Sequence, residues 1–473
     1  MSPFFVSVLK LNLVLLTCLL QFFSYKFLGW YGFWLGAFLL LVFCEAKLRL
    51  VGLILVLLIA SRLWMFDNFT VDHLKWLNDS EEVIELTGRI CLEPDLRRDD
   101  VRYFVCPQDY EGRFLVKNNL YPRFEYGDVV KVAGRLETPF EEKEFSYKNY
   151  LRIFKTDSIM QSASGLSLVE EGHGFLNALF KFKNWFLGFL EFQLMEPASS
   201  LVAGLVLGVR KGFSDAVMEQ FNITGLTHII AVSGYNVSMI IVIVNSLLGF
   251  VPRQIRFYLI TVFLILFMII TGGSASVVRA VIMGVIALAA LENGRQQFFA
   301  RTIILTALMM GLWNPAFVMY DAGMHLSFLS TLGVVYLAPL LDFKWLPESG
   351  GIREAFILTI AAQLATMPIL IFQFGRISLV SPFANLAVAP LLPLCMLFGF
   401  MAFVFAWSGV VSWIFIMMTS VCSWFLFKFV EFFAAVPYAA IDFEKGLWWP
   451  LLIYLVCFGR FVKKRLYENF TCR

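Results

Sequence analysis

The chain is a succession of apolar runs close to the length that crosses a lipid bilayer, and few folds accept such a chain. Three runs open the sequence, at about 4–23, 27–43 and 48–66. Further runs follow at about 228–250, 257–271, 276–292, 302–314, 317–341, 354–373, 379–406, 410–436 and 448–466. A helix needs roughly 20 apolar residues to span hydrocarbon. Only 15% of the residues are charged and mean hydropathy is +0.75, where a soluble domain carries about 25% charge. The expected fold is a polytopic α-helical membrane protein of about 10–12 spans. The run at 302–314 is short, and it and part of 317–341 are candidates for re-entrant segments.

Residues 67–173 interrupt the apolar pattern after the third run. They hold 21 Asp/Glu against 14 Lys/Arg, a balance of −7, whereas the remainder of the chain is +10. Short alternating segments at 82–92, 102–107, 112–118 and 128–137 are separated by Gly, Pro and Asp. Period-2 alternation with frequent turn residues predicts a small β-barrel or sandwich, and a five-stranded OB-type barrel fits the length. The expected organisation is 1–66 N-terminal spans, 67–173 an OB-like β-domain, 174–226 amphipathic or interfacial helices, and 227–473 a polytopic membrane domain. In the third part, 175–195 mixes aromatics with Lys181, Lys183 and Glu191, as an interfacial helix does.

Charge fixes the expected orientation. Lys47/Arg49, Arg253/Arg256, Arg295/Arg301, Lys344/Arg353 and Lys463/Lys464/Arg465 lie between or after alternate runs, and basic loops stay in the cytoplasm. Residues 4–23 read as an uncleaved first span with Lys10 and Asn12 near its entry. Both termini are then cytoplasmic and 67–173 faces outward. Cys91 and Cys106 flank the turn at 95–100. In an oxidising compartment they are expected to approach and bridge, with Cα atoms within about 7 Å. There is no CxxC pair or Cys/His cluster, so neither a metal nor another cofactor is expected.

Three polar stretches break the apolar pattern: GLTHIIAVSGYNVSMI at 225–240, GGSASVVRAVIMG at 272–284 and YDAGMHLSFLSTLGVVYLAPLL at 320–341. Ionisable groups at membrane depth are costly and line wet paths or meet partners. The orientation above places His228, Ser233, Asn236, Ser276, Arg279, Asp321, His325, Ser327, Gln363 and Asn385 as candidates to line a translocation path, most of them in the outer half of the bilayer. Gly272-Gly273-Ser274 is expected to break one long helix, and Pro368, Pro382, Pro390 and Pro393 later ones. Plainer readings stand beside this one. Arg279 suits a side chain that snorkels to the surface, and His228 an interfacial cap. Asp321 and His325 form an i,i+4 pair that can satisfy itself. Ser233, Asn236 and Gln363 suit interhelical hydrogen bonding, and Arg210 and Lys211 read as loop charges.

At these motifs the chain resembles the ComEC family of competence proteins, over roughly residues 80–435. GLTHIIAVSGYNVSMI is similar to its Gly/His/Ser-Gly signature, GGSASVVRAVIMG to its Ser-x-x-Arg segment, and DAGMHLSFLSTLGVVYLAPLL to its Asp-x-Gly-x-x-Leu-Ser-Phe stretch. AAQLATMPILIFQFGRISLVSPFANLAVAPLLP at 361–393 is similar to the next block, and YGDVVKVAGRLETP at 126–139 to the OB-type domain. Asn236 and His325 depart from the family, which often has His and Gln there. The resemblance implies an inner-membrane channel that passes single-stranded DNA into the bacterial cytoplasm during natural transformation. It implies single-stranded DNA and membrane lipid as partners, with a separate cytoplasmic motor or helicase, a DNA receptor and a nuclease. Many relatives carry a metallo-β-lactamase-like domain; the four histidines here cannot form its HxHxDH motif, and no Walker motif occurs. The chain is therefore expected not to be an enzyme. The alternatives are a membrane-embedded hydrolase, with Ser233 as nucleophile, His228 or His325 as base and Asp321 as orienter, and a transporter of another solute. Tyr103, Phe104, Phe114, Tyr121 and Tyr126 are candidates for base stacking in the β-domain, with core packing as their competing role.

Overall fold

The computed structural model describes residues 17–26, 28–37, 46–68, 73–80, 82–97, 100–140, 146–209, 213–230, 233–293, 299–341, 343, 351–443 and 454. Lys10, Asn12, Arg210, Lys211, Arg295, Lys344 and Lys463/Lys464/Arg465 lie outside the described residues, as does nearly all of the run at 448–466. Two compact units emerge, one of Met1–Asn184 with Val244–Met324, the other of Trp185–Ile243 with His325–Arg473.

The first unit contains the β-domain. Its strands are β1 (Ile84–Ile90), β2 (Asp95–Leu96), β3 (Val101–Pro107), β4 (Phe114–Asn118), β5 (Val129–Glu137) and β6 (Ser158–Glu170). β1 pairs antiparallel with both β3 and β5, β3 with β4, and β5 with β6, while β4 and β6 run parallel. Five strands thus close on themselves in the order β1-β3-β4-β6-β5, and β2 hangs on the edge of β3. Closure removes the exposed edges that an open sheet would present. Ile90, Val101, Tyr103, Val105, Phe114, Val116, Val130, Leu136 and Met160 fill the interior. Along β5, buried Val130, Val132 and Leu136 alternate with exposed Lys131 and Arg135. Register shifts in the β5–β6 ladder supply the bends that closure needs. At Gly88 a Cβ would meet the Cys106 carbonyl at 2.6 Å, so only glycine admits the β1–β3 approach. A helix over Tyr147–Ile153, capped by Ser146 Oγ accepting from Asn149 N–H, precedes β6.

The same unit holds a helical hairpin. Arg253–Ile270 and Ala275–Glu292 are joined by a tight turn in which Gly272 and Gly273 have φ of +75° and +59°, values glycine adopts without cost. The expected break at 272–274 is thus where the chain turns. The far ends meet too: Arg253 donates from Nε to Glu292 at 3.0 Å and from Nη2 to the Leu291 carbonyl. The Ala46–Asn68 helix begins ahead of Lys47 and Arg49, which are helical rather than in a loop. Its Arg62 donates to the Leu312 and Trp313 carbonyls at the C-terminus of Phe299–Trp313, where a cation offsets the helix dipole.

In the second unit Leu201, Leu205, Phe221, Ile229, Ile230, Ala384, Val388, Leu392, Leu426 and Val430 form one core. Small residues bring its helices close. A Cβ at Gly204 would meet the Ile230 carbonyl at 2.6 Å, one at Gly399 the Val202 side chain at 2.5 Å, and one at Gly333 the Ala361 carbonyl at 2.5 Å. The Ile352–Ile369 helix runs through Pro368 and ends in a π-turn over Leu370–Phe374, where the sequence suggested a break. Pro368 cannot donate to the Leu364 carbonyl four residues back, and the Tyr454 hydroxyl donates to that carbonyl instead. Two short strands, β7 (Arg376–Ser378) and β8 (Ala440–Asp442), pair antiparallel. β7 follows the Ile352–Phe374 stretch and β8 follows the Gly409–Ala434 helix, with Ser381–Val404 between them, so those two ends share one face.

Among the described residues six helical stretches are long and apolar enough to cross a bilayer: Arg253–Ile270, Ala275–Glu292, Ala322–Leu340, Ile352–Phe374, Ser381–Val404 and Gly409–Ala434. The chain is a multi-pass membrane protein. Two expected runs are divided. The run at 228–250 becomes Thr227–Ile230 and Gly234–Leu247, and the run at 317–341 becomes Pro315–Tyr320 and Ala322–Leu332 with its π-helical extension. The Phe175–Gln193 helix is present, but Lys183 is not on a wet face: its side chain is 2% exposed.

Candidate functional site

In the second unit three polar segments meet. Gly225 ends the Asp215–Thr224 helix in a left-handed conformation, and a Cβ there would lie 3.0 Å from Ser378 and 3.1 Å from Ser381. Gln363 donates from Nε2 to the Ser378 carbonyl at 2.6 Å, while its Oε1 is buried and accepts nothing among the described residues. Asn385 donates to Thr359 Oγ1 at 2.9 Å, one helical turn from Gln363. His228 places Nδ1 3.1 Å from the Gly225 carbonyl and is exposed. Asn236 is buried, donating to the Leu205 carbonyl at 3.1 Å and accepting from Ser233 Oγ at 3.3 Å. Leu205 shares a core with Ile229, Ile230, Ala384 and Val388. His228, Ser233, Asn236, Gln363 and Asn385 therefore belong to one packed region, a polar seam through an apolar unit. His325 and Ser327 are half-buried on the Ala322–Leu332 helix. The Ser327 carbonyl accepts from Ser330 and Thr331.

At the β7–β8 ladder Arg376 donates from Nε and Nη2 to Asp442, at 2.5 and 3.3 Å, and from Nη1 to Glu219 at 2.6 Å. Both carboxylates hold the guanidinium's affinity for its proton above the usual arginine range, and Arg376 holds the Asp442 carboxyl below the usual carboxylate range. These three residues and Tyr438 edge a shallow pocket of about 300 Å³. The sequence gives no sign that Glu219 and Asp442 meet Arg376. No spacing rule joins positions that far apart; only the strand pairing does.

The first unit holds Ser276, Arg279 and Asp321. Arg279 is 8% exposed, with Nη1 3.7 Å from Met283 Sδ; it lies inside the protein and does not snorkel. Asp321 stands between two helices rather than within one. Its Oδ1 accepts from the Met324 N–H at 2.8 Å, the N-cap geometry that Asp favours. Asp321 therefore caps the helix that carries His325 rather than lying inside it. Cys91 and Cys106 are disulfide-bonded, with Cα atoms 5.9 Å apart. Of the five candidate stacking aromatics, Tyr103 and Phe114 are fully buried and Phe104 nearly so. Tyr126 packs on Phe180 at 5.0 Å. Tyr121 is 73% exposed, with Arg123 5.0 Å from its ring. Core packing claims these three: Tyr103 and Phe114 point into the barrel, while Phe104, on the opposite face of its strand, packs against the Tyr147–Ile153 helix.

The sequence pattern of the family described as Competence protein matches residues 205–465, more than half of the chain and the whole polar seam. The chain belongs to the competence protein family. ComE operon protein 3 of Bacillus subtilis (strain 168) is 25% identical over 289 residues, 59% of this chain and 36% of that relative. This competence protein thus spans about a third of the length of the curated relative it matches. No solved structure matches it. Among its described residues no group of three or more His, Cys, Asp or Glu is placed to hold a metal ion.

Proposed function

We propose that this competence protein forms the membrane path by which single-stranded DNA enters the bacterial cytoplasm during natural transformation. The observation that carries this reading is the polar seam of His228, Ser233, Asn236, Gln363 and Asn385 inside the family-matched unit. A phosphate chain needs a wet, hydrogen-bonding route, and polar groups at membrane depth are kept for such routes. The buried Gln363 Oε1 is an acceptor suited to water. From the sequence motifs, Ser276, Arg279, Asp321, His325 and Ser327 are also proposed as translocation-path residues. The β-domain is of OB type on this reading: its closed five-strand order with one parallel pair suits that small barrel. It faces outward from the inner membrane, and its balance of −7 argues for guiding or gating rather than tight DNA binding.

A cytoplasmic motor, a DNA receptor and a nuclease are separate proteins on this view. The hydrolase alternative is weakened by Ser233, whose hydroxyl donates to the Asn236 amide oxygen, a group that cannot act as general base. The test is uptake of labelled DNA in a strain deleted for the chromosomal copy and complemented with this chain. Restored internalisation of one strand is expected. Normal binding of DNA at the surface with no internalisation would refute the reading, and restored transport of another solute would favour a transporter.

A further inference from the structure

Lys183 is a buried ammonium on a helix whose sequence reads as interfacial. It lies on the Phe175–Gln193 helix, its side chain is 2% exposed, and an ammonium has three donors to satisfy. Nζ lies 2.7 and 2.8 Å from the two carboxylate oxygens of Glu93 and 2.6 Å from the Ile270 carbonyl. Each partner sits at a juncture. Glu93 stands between β1 and β2, two residues after Cys91, whose disulfide to Cys106 ties that connection to β3. Ile270 is the last residue of the helix that precedes the Gly272–Gly273 turn.

A helix leaves its last four carbonyls without partners inside the helix. Here all four are accounted for. Phe267 accepts from Thr271 N–H, Met268 from Gly273 N–H and Ile269 from Gly272 N–H. Ile270 accepts from Lys183. A cation at this end also meets the negative pole of the helix dipole. Glu93 reaches the turn as well, since a Cβ on Gly272 would lie 3.6 Å from Glu93 Oε2. The turn ends at Ser274, and the next helix carries Ser276 and Arg279 in its first two turns.

We propose that Lys183 and Glu93 are positioning residues: the ion pair clamps the Gly272–Gly273 turn to the barrel connection and so sets the placement of Ser276 and Arg279. The value of that placement for transport rests on the DNA-path reading; the clamp itself does not. Removing one partner of a buried pair leaves a stranded charge and destabilises, whereas replacing both with apolar residues is often neutral. The double variant Lys183→Met/Glu93→Leu therefore separates clamp from fold.

The experiment uses the full chain in detergent micelles, with Ser276→Cys as reporter, and compares Lys183→Met, the double variant and the parent. Lys183→Met is expected to lower the yield of folded protein, and the double variant to restore yield and melting temperature. In the double variant the Ser276→Cys thiol is expected to react with a water-soluble methanethiosulfonate at a rate changed about tenfold, and DNA uptake in complemented cells to fall by about tenfold. A parental thiol rate in a well-folded double variant overturns the clamp. A changed rate with full uptake overturns its role in the path. If the double variant does not fold, amide exchange at Thr271–Gly273 in the residual folded Lys183→Met protein decides, with parental exchange overturning the clamp. Failure of the unmodified chain to support uptake counts against the DNA-path reading alone, because the thiol rate still reports on the clamp.

Discussion

Single side chains here work as connectors between backbone ends. Asp321 is the clearest case: its carboxylate accepts from Met324 N–H and starts the Ala322–Leu332 helix. Asn caps as well as Asp, whereas Ala removes the cap at a cost of about 1 kcal/mol. Asp321→Asn is therefore expected to melt like the parent and Asp321→Ala a few degrees lower, read by thermal unfolding in detergent. If the charge also serves the path, the Asn variant loses DNA uptake while keeping its stability; full uptake in that variant would remove Asp321 from the path lining. Arg376 connects in the same way, to Asp442 and Glu219. Because the Asp442 pKa is lowered in the folded chain, its contribution is present above the unfolded carboxylate value of about 3.9 and is lost as pH falls through the folded value. The exposure of Asp442 keeps the effect small. Protection of the β7–β8 amides from exchange should stay flat from neutral pH down to about pH 5 and weaken only below about pH 4. Weakening near pH 6.5, where histidine titrates, would assign the ladder's pH response to another group.

At the scale of elements, close helix contacts set the packing. Gly333 faces the Ala361 carbonyl, and a Cβ would come within 2.5 Å of it and 2.6 Å of Ala365 Cβ. Neither is the far end of a flexible chain, so the backbones must part. Gly333→Ala should destabilise by about 1–3 kcal/mol, measured as a lowered melting temperature, whereas a Gly273→Ala change meets open space and pays only for its left-handed backbone. Equal melting temperatures for Gly333→Ala and the parent would contradict the contact. The same elements show what was legible in the sequence. Strands β1 and β5 were readable because buried Leu, Ile and Val alternate with Glu, Arg and Lys, and β3 and β4 as short apolar segments between turn residues. β6 was hidden: Ser158–Glu170 is rich in Ser and small residues, so its period is weak. The membrane helices were readable from run length, but their starts at Gly234 and Ala322 were not. At Ala322 a single polar residue, Asp321, starts the helix by capping without changing the mean hydropathy around it. The run through Pro368 misled in the opposite direction, because a distant tyrosine relieves the proline's defect.

For the molecule as a whole, the first unit supplies an argument about sidedness that does not use charge. The Gly272–Gly273 turn lies against the barrel connection through Lys183 and Glu93. Two antiparallel helices of 18 residues lead away from it, and at about 1.5 Å per residue each is about 27 Å long, close to the roughly 30 Å hydrocarbon core. A hairpin of that length crossing the bilayer would bring the end where Arg253 meets Glu292 to the opposite membrane face from the barrel. Basic residues favour the cytoplasm, and Arg253 and Arg256 flank that end. The Cys91–Cys106 disulfide favours an oxidising compartment for the barrel. Two unrelated chemistries thus support the proposed outward-facing barrel. The prediction is that a membrane-impermeant maleimide labels Asp109→Cys, in the exposed β3–β4 loop, in intact cells or spheroplasts. Asn293→Cys, exposed at the other end of the hairpin, should be labelled only after the membrane is opened, with the parent chain measured in parallel for its own thiols. Labelling of both positions from the same side would overturn the hairpin's span of the bilayer. Labelling of Asn293→Cys alone in intact cells would place the barrel in the cytoplasm and remove the outward-facing domain from the proposed route of DNA entry.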